Sequence, residues 1–506
     1  MIPLTLAEVA AAVSGELVPG SPQPSPSPSA PPAATPAGAP RAPAPAGPVG
    51  AVPVTGAVTV DSRTVSPGDL FVALPGERVD GHAHLGDAAG AGAVAALCSR
   101  PDPALPCIVV ADPVVALGAL AHEVYRRLTA GGLVTVGITG SSGKTSTKDL
   151  LGQVLGAAGP TVSPVGSFNN DIGLPLTVLT ADAGTRYLVL EMGARGSGHI
   201  ARLTRVARPR VGVVLNVGSA HLGEFGSADG IAAAKGELVE ALPADGTAVL
   251  NADDPRVRAM ATRTRARVLS TGLAPDAEVR AEDVELDERA RGRFTLVTAG
   301  ERHPVELQVI GAHQVSNALS AAGAALAVGL APAQVAAALT AAGPRSRWRM
   351  EVDVRADGVT VVNDAYNANP ESMRAALAAL AGLAGRRRVA VLGAMAELGP
   401  DAPAEHERLG REAVRSGVDL LVAVGPDAVA LHAGAAAEWA QRYGRDPGRG
   451  QEEGVVHVPD REGAAALLAG VLEPGDVVLV KASRSYGLEL LAAELLAAPP
   501  AGSVTA

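Results

Sequence analysis

The sequence predicts an α/β protein of three domains, on three observations. Apolar strand-like runs alternate with helix-like runs: LVTVGIT, RYLVLEMG, RVGVVLNVG and GTAVLNADD in the middle, then VTVVNDA, RRVAVLGA, DLLVAVG and DVVLVKAS towards the end. Such alternation means a parallel sheet covered on both faces. A glycine-containing loop joins one of these strands directly to a helix. The length, 506 residues, corresponds to about three domains at about 150 residues each, or two large ones.

Composition sets limits. Hydrophobic residues make up 47% and charged residues 19%, enough apolar material for real cores. The net charge is 42 − 52 = −10, with no basic block, so nucleic acid is not an expected partner. Cys98 and Cys107 are too few for a disulfide framework or a four-cysteine zinc site. The N-terminal MIPLTLAEVA has no basic segment ahead of an apolar core, so no signal peptide is expected. The uncharged run from Ala312 to Pro344 is interrupted by polar residues and reads as packed soluble helices, so no membrane insertion is expected. The chain holds four lysines, Lys144, Lys148, Lys235 and Lys481, against 38 arginines, and eight asparagines: Asn169, Asn170, Asn216, Asn251, Asn317, Asn363, Asn367 and Asn369. Where composition disfavours Lys and Asn, the survivors mark positions that need an ammonium or an amide, or have persisted by chance.

The first domain is expected over about 1–112. Thr5 to Leu17 predicts a helix, opened by a Thr5/Glu8 capping box, with Leu6, Val9 and Val13 on one face. A Pro/Ala/Ser/Gly-rich stretch from about 19 to 50 cannot bury a core and predicts a disordered insertion. Strand-like VTVDSR and DLFVALPG follow. The second domain, about 113–344, starts with a helix around Leu117–Leu128 and continues through the strands named above to Ala-rich helices from Gln314 to Ala342. The third, about 345–506, repeats the alternation. Asn369 and Pro370 predict the N-cap and first turn of a helix over Pro370–Leu383.

The strongest motif is Thr139-Gly140-Ser141-Ser142-Gly143-Lys144-Thr145, followed by Ser146, between an apolar strand and a helix. The glycines allow backbone N–H groups to approach phosphate, and the helix N-terminus favours negative charge. Lys144 is expected on the β/γ-phosphates and the Thr145 hydroxyl on Mg²⁺. The common spacing has a glycine where this chain has Ile138, so the loop is a variant. Glu191 and His221 follow two further strands, at the carboxyl ends where parallel sheets bind ligands. They read either as metal ligands or as a helix-capping Glu and a structural His. Lys235, in AKGEL, reads by itself as a surface lysine, and its rarity favours a specific role.

Taken together, the motifs resemble the Mur ligases of peptidoglycan synthesis, in particular the branch that adds D-alanyl-D-alanine to UDP-N-acetylmuramoyl-tripeptide. The resemblance rests on TGSSGKT, SFNNDIGLPLT (167–177), EMGA (191–194), AHLGEFGS (220–227), AKGEL (234–238), LNADDP (250–255), GAHQVSNALSA (311–321), NDAYNANPESM (363–373), AMAELG (394–399) and VKASRS (480–485). DSR (61–63), PGDLFVAL (67–74) and GERVDGH (76–82) look like the family's uridine-nucleotide domain. It implies a small α/β UDP-substrate domain, a central P-loop ATPase domain and a C-terminal Rossmann-like domain. It implies ATP and Mg²⁺ as cofactors, and catalytic roles for Lys144, Glu191, His221 and Lys235. Gly140 to Ser146, Asn317 and Asp364 would hold the nucleotide. Thr145, Glu191, His221 and Lys235 would ligate metal, the last as a carbamylated lysine. Ser62, Arg63, Asn169 and Asn170 would contact the UDP-sugar-peptide, and Asn367, Lys481, Ser483 and Arg484 the substrates at the third domain. A cytoplasmic monomer is expected. Two departures stand out: Ala394 where the branch commonly has Asp, and His84 where an aromatic is frequent. The alternatives are another amino-acid ligase of the superfamily or a non-catalytic nucleotide-binding regulator on the same fold.

Overall fold

The computed structural model describes residues 1–20, 48–76, 79–218, 225–444 and 454–497. Most of the expected insertion, and His221, lie outside these residues. The chain divides into two contact-dense units. One comprises 1–135, 159–192 and 202–208; the other comprises 136–158, 193–201 and 209–506.

In the first unit, a five-stranded sheet runs in the order Glu16–Val18, Cys107–Val109, Ala95–Cys98, Leu70–Val72, Val58–Thr59. All its pairings are parallel except the first. Phe71, Ala96, Cys98 and Cys107 share its core with Leu85 and Ala88, and both cysteines are free and buried. The N-terminal helix covers only Leu6–Val13, and its Thr5/Glu8 capping box is formed. It stops short of the expected Leu17 because Ser14 turns left-handed at φ 53° and Glu16–Val18 becomes a strand against Cys107–Val109. VTVDSR likewise breaks after Thr59, and Ser62–Thr64 forms a 3₁₀ turn capped by the Asp61 side chain. Tyr187–Glu191 pairs in parallel with Thr161–Val162.

In the second unit, the strand Val134–Thr139 leads into the helix Lys144–Gly156. Val211–Val214 pairs in parallel with it, and Thr247–Asn251, Arg267–Gly272 and Val279–Leu286 follow in parallel order. Arg291–Thr298 and Glu301–Ile310 then extend the sheet antiparallel. The sheet is therefore mixed rather than purely parallel. The helices His313–Ala327 and Pro332–Ala341 pack against it.

A separate six-stranded sheet has the order Glu351–Val354, Thr360–Asn363, Val477–Lys481, Arg388–Leu392, Leu420–Val424, Gly454–Val458. Only the first pair is antiparallel. The helices Pro370–Gly382, Ala402–Arg415 and Val429–Tyr443 cover one face. Arg461–Val471 and Leu488–Ala497 cover the other. Arg388–Leu392 and Val477–Lys481 are neighbours whose following loops leave towards opposite faces. That divergence makes the crevice in which open α/β sheets bind ligands.

Among the described residues no helix is long and apolar enough to cross a membrane.

Candidate active site

The Thr139–Thr145 loop is built by a left-handed glycine at one point and by amide clamps around it. Gly143 takes φ +79°, a left-handed turn that starts the helix Lys144–Gly156. A Cβ there would stand 2.4 Å from Asn317 Oδ1, so Asn317 packs directly on the loop glycine. Asn317 in turn donates to Gln314 Oε1 at 2.9 Å. The Lys144 ammonium donates to the Gly140 carbonyl at 2.6 Å, folding back over the loop it belongs to. Thr145 is buried and Ser146 half-buried at the helix start.

Asn216, just beyond the strand Val211–Val214, clamps the loop. Its Oδ1 accepts from the Ser142 N–H at 3.0 Å, its Nδ2 donates to the Ser142 carbonyl at 3.3 Å, and its own carbonyl accepts from Ser141 N at 3.1 Å. The Ser141 hydroxyl accepts from Gly218 N at 2.9 Å. The 215–218 stretch is pinned from behind by Asn251, donating to the Leu215 carbonyl at 2.8 Å, and by Asp254, accepting from Val217 N at 2.8 Å. From the third segment, Asn369 Nδ2 reaches the Ser141 carbonyl at 3.4 Å, while Asn369 Oδ1 caps the helix Pro370–Gly382 through Ser372 N. Sequence reasoning gives Asn216 no role and Asn369 only that of a helix N-cap; both are among the eight asparagines, and that scarcity is the available signal for their place at the loop.

Lys235 lies in the helix Ala228–Glu240 and is 4% exposed, not a surface lysine. Burial drives its pKa well below the ordinary lysine value. The Lys144 charge pushes it down further, and the Glu371 carboxylate opposes both. Its Nζ makes no hydrogen bond to a described residue. Desolvation of this kind disfavours the charged form of a buried amine.

Glu191, in the first unit, ends the strand Tyr187–Glu191, and its Oε1 accepts from Ser167 Oγ at 2.7 Å and Asn169 Nδ2 at 2.8 Å. Asn169 is thus engaged in orienting a carboxylate. Asn170 Oδ1 accepts from Ile172 N and Gly173 N and so shapes the start of the helix Gly173–Leu179. Ser62 and Arg63 sit in the 3₁₀ turn, with Arg63 bidentate to Asp61, whose carboxyl it holds down at about 2. Among the described residues no three His, Cys, Asp or Glu side chains cluster as a metal site. The Thr145 hydroxyl and the Glu191 carboxylate are hard oxygen donors of the kind Mg²⁺ takes.

In the third segment, Asp364 accepts from Lys481 Nζ at 2.6 Å and from Met350 N at 3.0 Å. His313 lies in the field of this pair. Burial lowers its pKa, with Asp364 raising it and Lys481 lowering it. Ser483 fastens loops rather than standing open: its N–H donates to the Ala394 carbonyl at 3.1 Å and its hydroxyl accepts from Ala396 N at 2.8 Å. His406 accepts from Met395 N at 2.8 Å, so the 394–396 loop is held from two sides. Ala394 is buried, and Glu397 takes a positive φ of 64°. The Arg484 guanidinium lies 4.2 Å from the centre of the Trp348 ring and pairs with Glu489.

Three family models match the chain: the Mur ligase family catalytic domain over 55–126, the Mur ligase middle domain over 138–325 and the Mur ligase glutamate ligase domain over 348–484. The chain is 49% identical to the UDP-N-acetylmuramoyl-tripeptide--D-alanyl-D-alanine ligase of Mycobacterium bovis, with all of both chains covered. It is 37% identical to the ligase of the same name from Escherichia coli, over 74% of this chain and 82% of the relative. Its fold superposes on crystal structure I of MurF from Acinetobacter baumannii with a TM-score of 0.81 at 29% identity, covering 98% and 99% of the two chains. The MurF ligase of Thermotoga maritima in complex with ADP gives 0.72 at 30% identity, covering 87% and 98%. The chain belongs to the Mur ligase family, in its MurF branch.

Proposed function

We propose that this protein joins D-alanyl-D-alanine to UDP-N-acetylmuramoyl-tripeptide at the expense of ATP, giving ADP and phosphate. What carries the reading is that the likeness to the M. bovis ligase runs end to end, so the phosphate loop, Lys235 and the Asp364 loop all belong to one matched chain. In the reaction, the tripeptide carboxylate attacks the γ-phosphorus and the bond to the bridging oxygen breaks, releasing ADP and leaving an acyl phosphate. The dipeptide amine attacks the acyl carbon, phosphate departs with the bonding pair, and the nitrogen loses its proton.

The chain's part is orientation and charge. Gly140 to Ser146 cradle the phosphates, held in place by Asn216 and Asn317. Lys144 leaves the Gly140 carbonyl to meet charge growing on the transferring phosphoryl oxygens, the term with most leverage in such chemistry. Magnesium, when bound by Thr145, Glu191, His221 and Lys235, supplies further neutralisation at those oxygens. Lys235 is assigned as a carbamate: its amine nitrogen bonds to the carbon of CO₂ and releases a proton to solvent, converting a buried amine into an anionic oxygen ligand, which an arginine cannot do. Asn317 and Asp364 hold the nucleoside part. Ser62 and Arg63 take the UDP-sugar-peptide, with Asn169 and Asn170 shaping the ground beside Glu191. The dipeptide is assigned to the crevice between the 393–397 and 482–486 loops, with Arg484 and Asn367 as its polar contacts. The protein is assigned to the cytoplasm, as a monomer.

The test is ADP release by the purified chain with UDP-N-acetylmuramoyl-tripeptide, with and without D-alanyl-D-alanine. Dependence on both substrates, with a product heavier by the dipeptide less water, is expected. Dependence on a single amino acid would move the protein elsewhere in the superfamily. ATP binding without turnover on any acceptor would make it a regulator.

A further inference from the structure

Lys481 ends the strand Val477–Lys481, beside the crevice assigned to the dipeptide, and its ammonium is turned onto the 364–367 loop. It is 2% exposed. An ammonium has three donors, and three acceptors surround this one: Asp364 Oδ2 at 2.6 Å, the Asn367 carbonyl at 2.8 Å and the Asp364 carbonyl at 3.3 Å. All three lie within the loop 364–367. The same loop is fixed at its start by Met350 N on the other Asp364 oxygen. Two residues further on, Asn369 touches the Ser141 carbonyl of the phosphate loop. Lys481 therefore sits behind the segment that carries Asp364 forward and Asn369 onto the phosphate loop.

We infer that Lys481 is a positioning residue for the nucleotide half of the reaction and makes no contact with the incoming dipeptide. The inference rests on the ligase reading for the identity of the two substrates. The ammonium acts through Asp364: it fixes one carboxylate oxygen and two backbone carbonyls of one turn, so the carboxylate is presented in one orientation. A guanidinium is a poor substitute, because its planar fork does not converge on three acceptors set around a point.

The test uses the full-length chain and two variants, Lys481→Met and the double variant Lys481→Met with Asp364→Asn. The double variant removes the carboxylate that the single one would strand without its cation, and so guards against a folding failure. Two quantities are read: ATP affinity by titration calorimetry, with no other substrate present, and the KM for D-alanyl-D-alanine at saturating ATP. The expected result is a loss of ATP affinity of tenfold or more in Lys481→Met, with the dipeptide KM within twofold of wild type, and for the double variant, in which Asp364 itself is lost, no more than a further twofold loss of ATP affinity and a thermal midpoint close to wild type. Unchanged ATP affinity overturns the inference. So does a rise in dipeptide KM with ATP affinity intact, which would make Lys481 a dipeptide contact. Equal losses for both substrates would mark a merely structural role and overturn it too. If wild type binds ATP but does not turn over, the ligase reading fails, while the calorimetric comparison still decides the role of Lys481.

Discussion

Replacing Asn216 with alanine tests whether the phosphate loop is held ready before nucleotide arrives. The substitution removes two hydrogen bonds to the Ser142 backbone, at 3.0 and 3.3 Å. A hydrogen bond of this kind is worth about 1 kcal/mol net, so the loop loses about 2 kcal/mol of ordering. If nucleotide binding must then restore that order, affinity falls by about 30-fold, since each 1.4 kcal/mol is about tenfold. The chain itself remains folded, because Asn251, Asp254 and Ser141 pin the 215–218 backbone independently. The assay is titration calorimetry of the full chain with ADP and magnesium, alongside a thermal melt. Asn216→Asp is the graded control. It keeps the acceptor for Ser142 N and loses the donor to the Ser142 carbonyl, while placing a negative charge near the phosphates. A dissociation constant for Asn216→Ala within twofold of wild type, with an unchanged melt, would refute the reasoning: the loop would then be ordered by its glycine geometry, Lys144 and the contacts of Ser141 without the Asn216 amide.

Gly143→Ala attacks the same loop from the strain side. The left-handed φ of +79° costs an L-residue about 1–2 kcal/mol, and the new Cβ would also displace Asn317 Oδ1 from 2.4 Å. Nucleotide affinity should fall at least tenfold, and a wild-type titration curve would contradict this. Far from the site, Asp476 has no solvent exposure. Its burial raises the carboxyl pKa, but hydrogen bonds from Arg387 and the Glu473 N–H, the Arg387 charge and a hydrogen bond from Arg386 outweigh that and leave it below the ordinary value. A folded-state pKa below the unfolded one contributes stability that is present above about pH 4 and is lost as pH falls through the folded value. Asp476→Ala should cost about 3 kcal/mol at neutral pH by removing the buried carboxylate that pairs with Arg387. Its thermal midpoint should also fall less than that of wild type between pH 5 and pH 3. Parallel acid slopes in the two proteins would rule out this role for Asp476.

Local signals carried much of the fold. The Thr5/Glu8 capping box, the Asn369–Pro370 helix start and the strand–loop–helix around Lys144 are all formed as their residues predict; the first two depend on contacts within four residues, and the third on a glycine turn between a strand and a helix that are adjacent in sequence. Errors came where the partner is remote. Glu16–Val18 continues a helical pattern in sequence, but pairs with a strand some 90 residues later, and a Cβ on Gly15 would collide with Ile108. Nothing near Gly15 announces Ile108. The antiparallel extension Val279–Ile310 was also not foreseen. Its first strand, VRAEDVEL, is buried at one end and exposed over its last residues, so it lacks the continuous apolar run that revealed the central strands.

The scarce lysines show where reading by residue type stops. All four sit inside the fold or fold back on a loop. Lys144 lies on the Gly140 carbonyl, and Lys235 is buried without an acceptor among the described residues. Lys148 is fully buried against Asp149 at 2.6 Å, and Lys481 is saturated by the 364–367 loop. Arginine carries the exposed ion pairs instead, such as Arg63 with Asp61 and Arg302 with Glu282. Scarcity therefore points to positions that the fold encloses or supplies with acceptors, but not to a task, since the task is set by whichever acceptors the fold delivers. Lys148 had no role assignable from its motif, yet its partner Asp149 accepts from Ser346 N at 3.1 Å. One turn on, Gln153 grips both the carbonyl and the N–H of Gly343. The helix that begins at the phosphate loop thus holds the 343–346 backbone, the stretch that leads into the third segment. A buried lysine four residues after Lys144 pairs with the Asp149 carboxylate that accepts from that backbone. The same residue type four positions earlier, Lys144, instead folds back onto the Gly140 carbonyl of its own loop. Spacing distinguishes the two positions, and only the acceptors around each nitrogen distinguish the two functions.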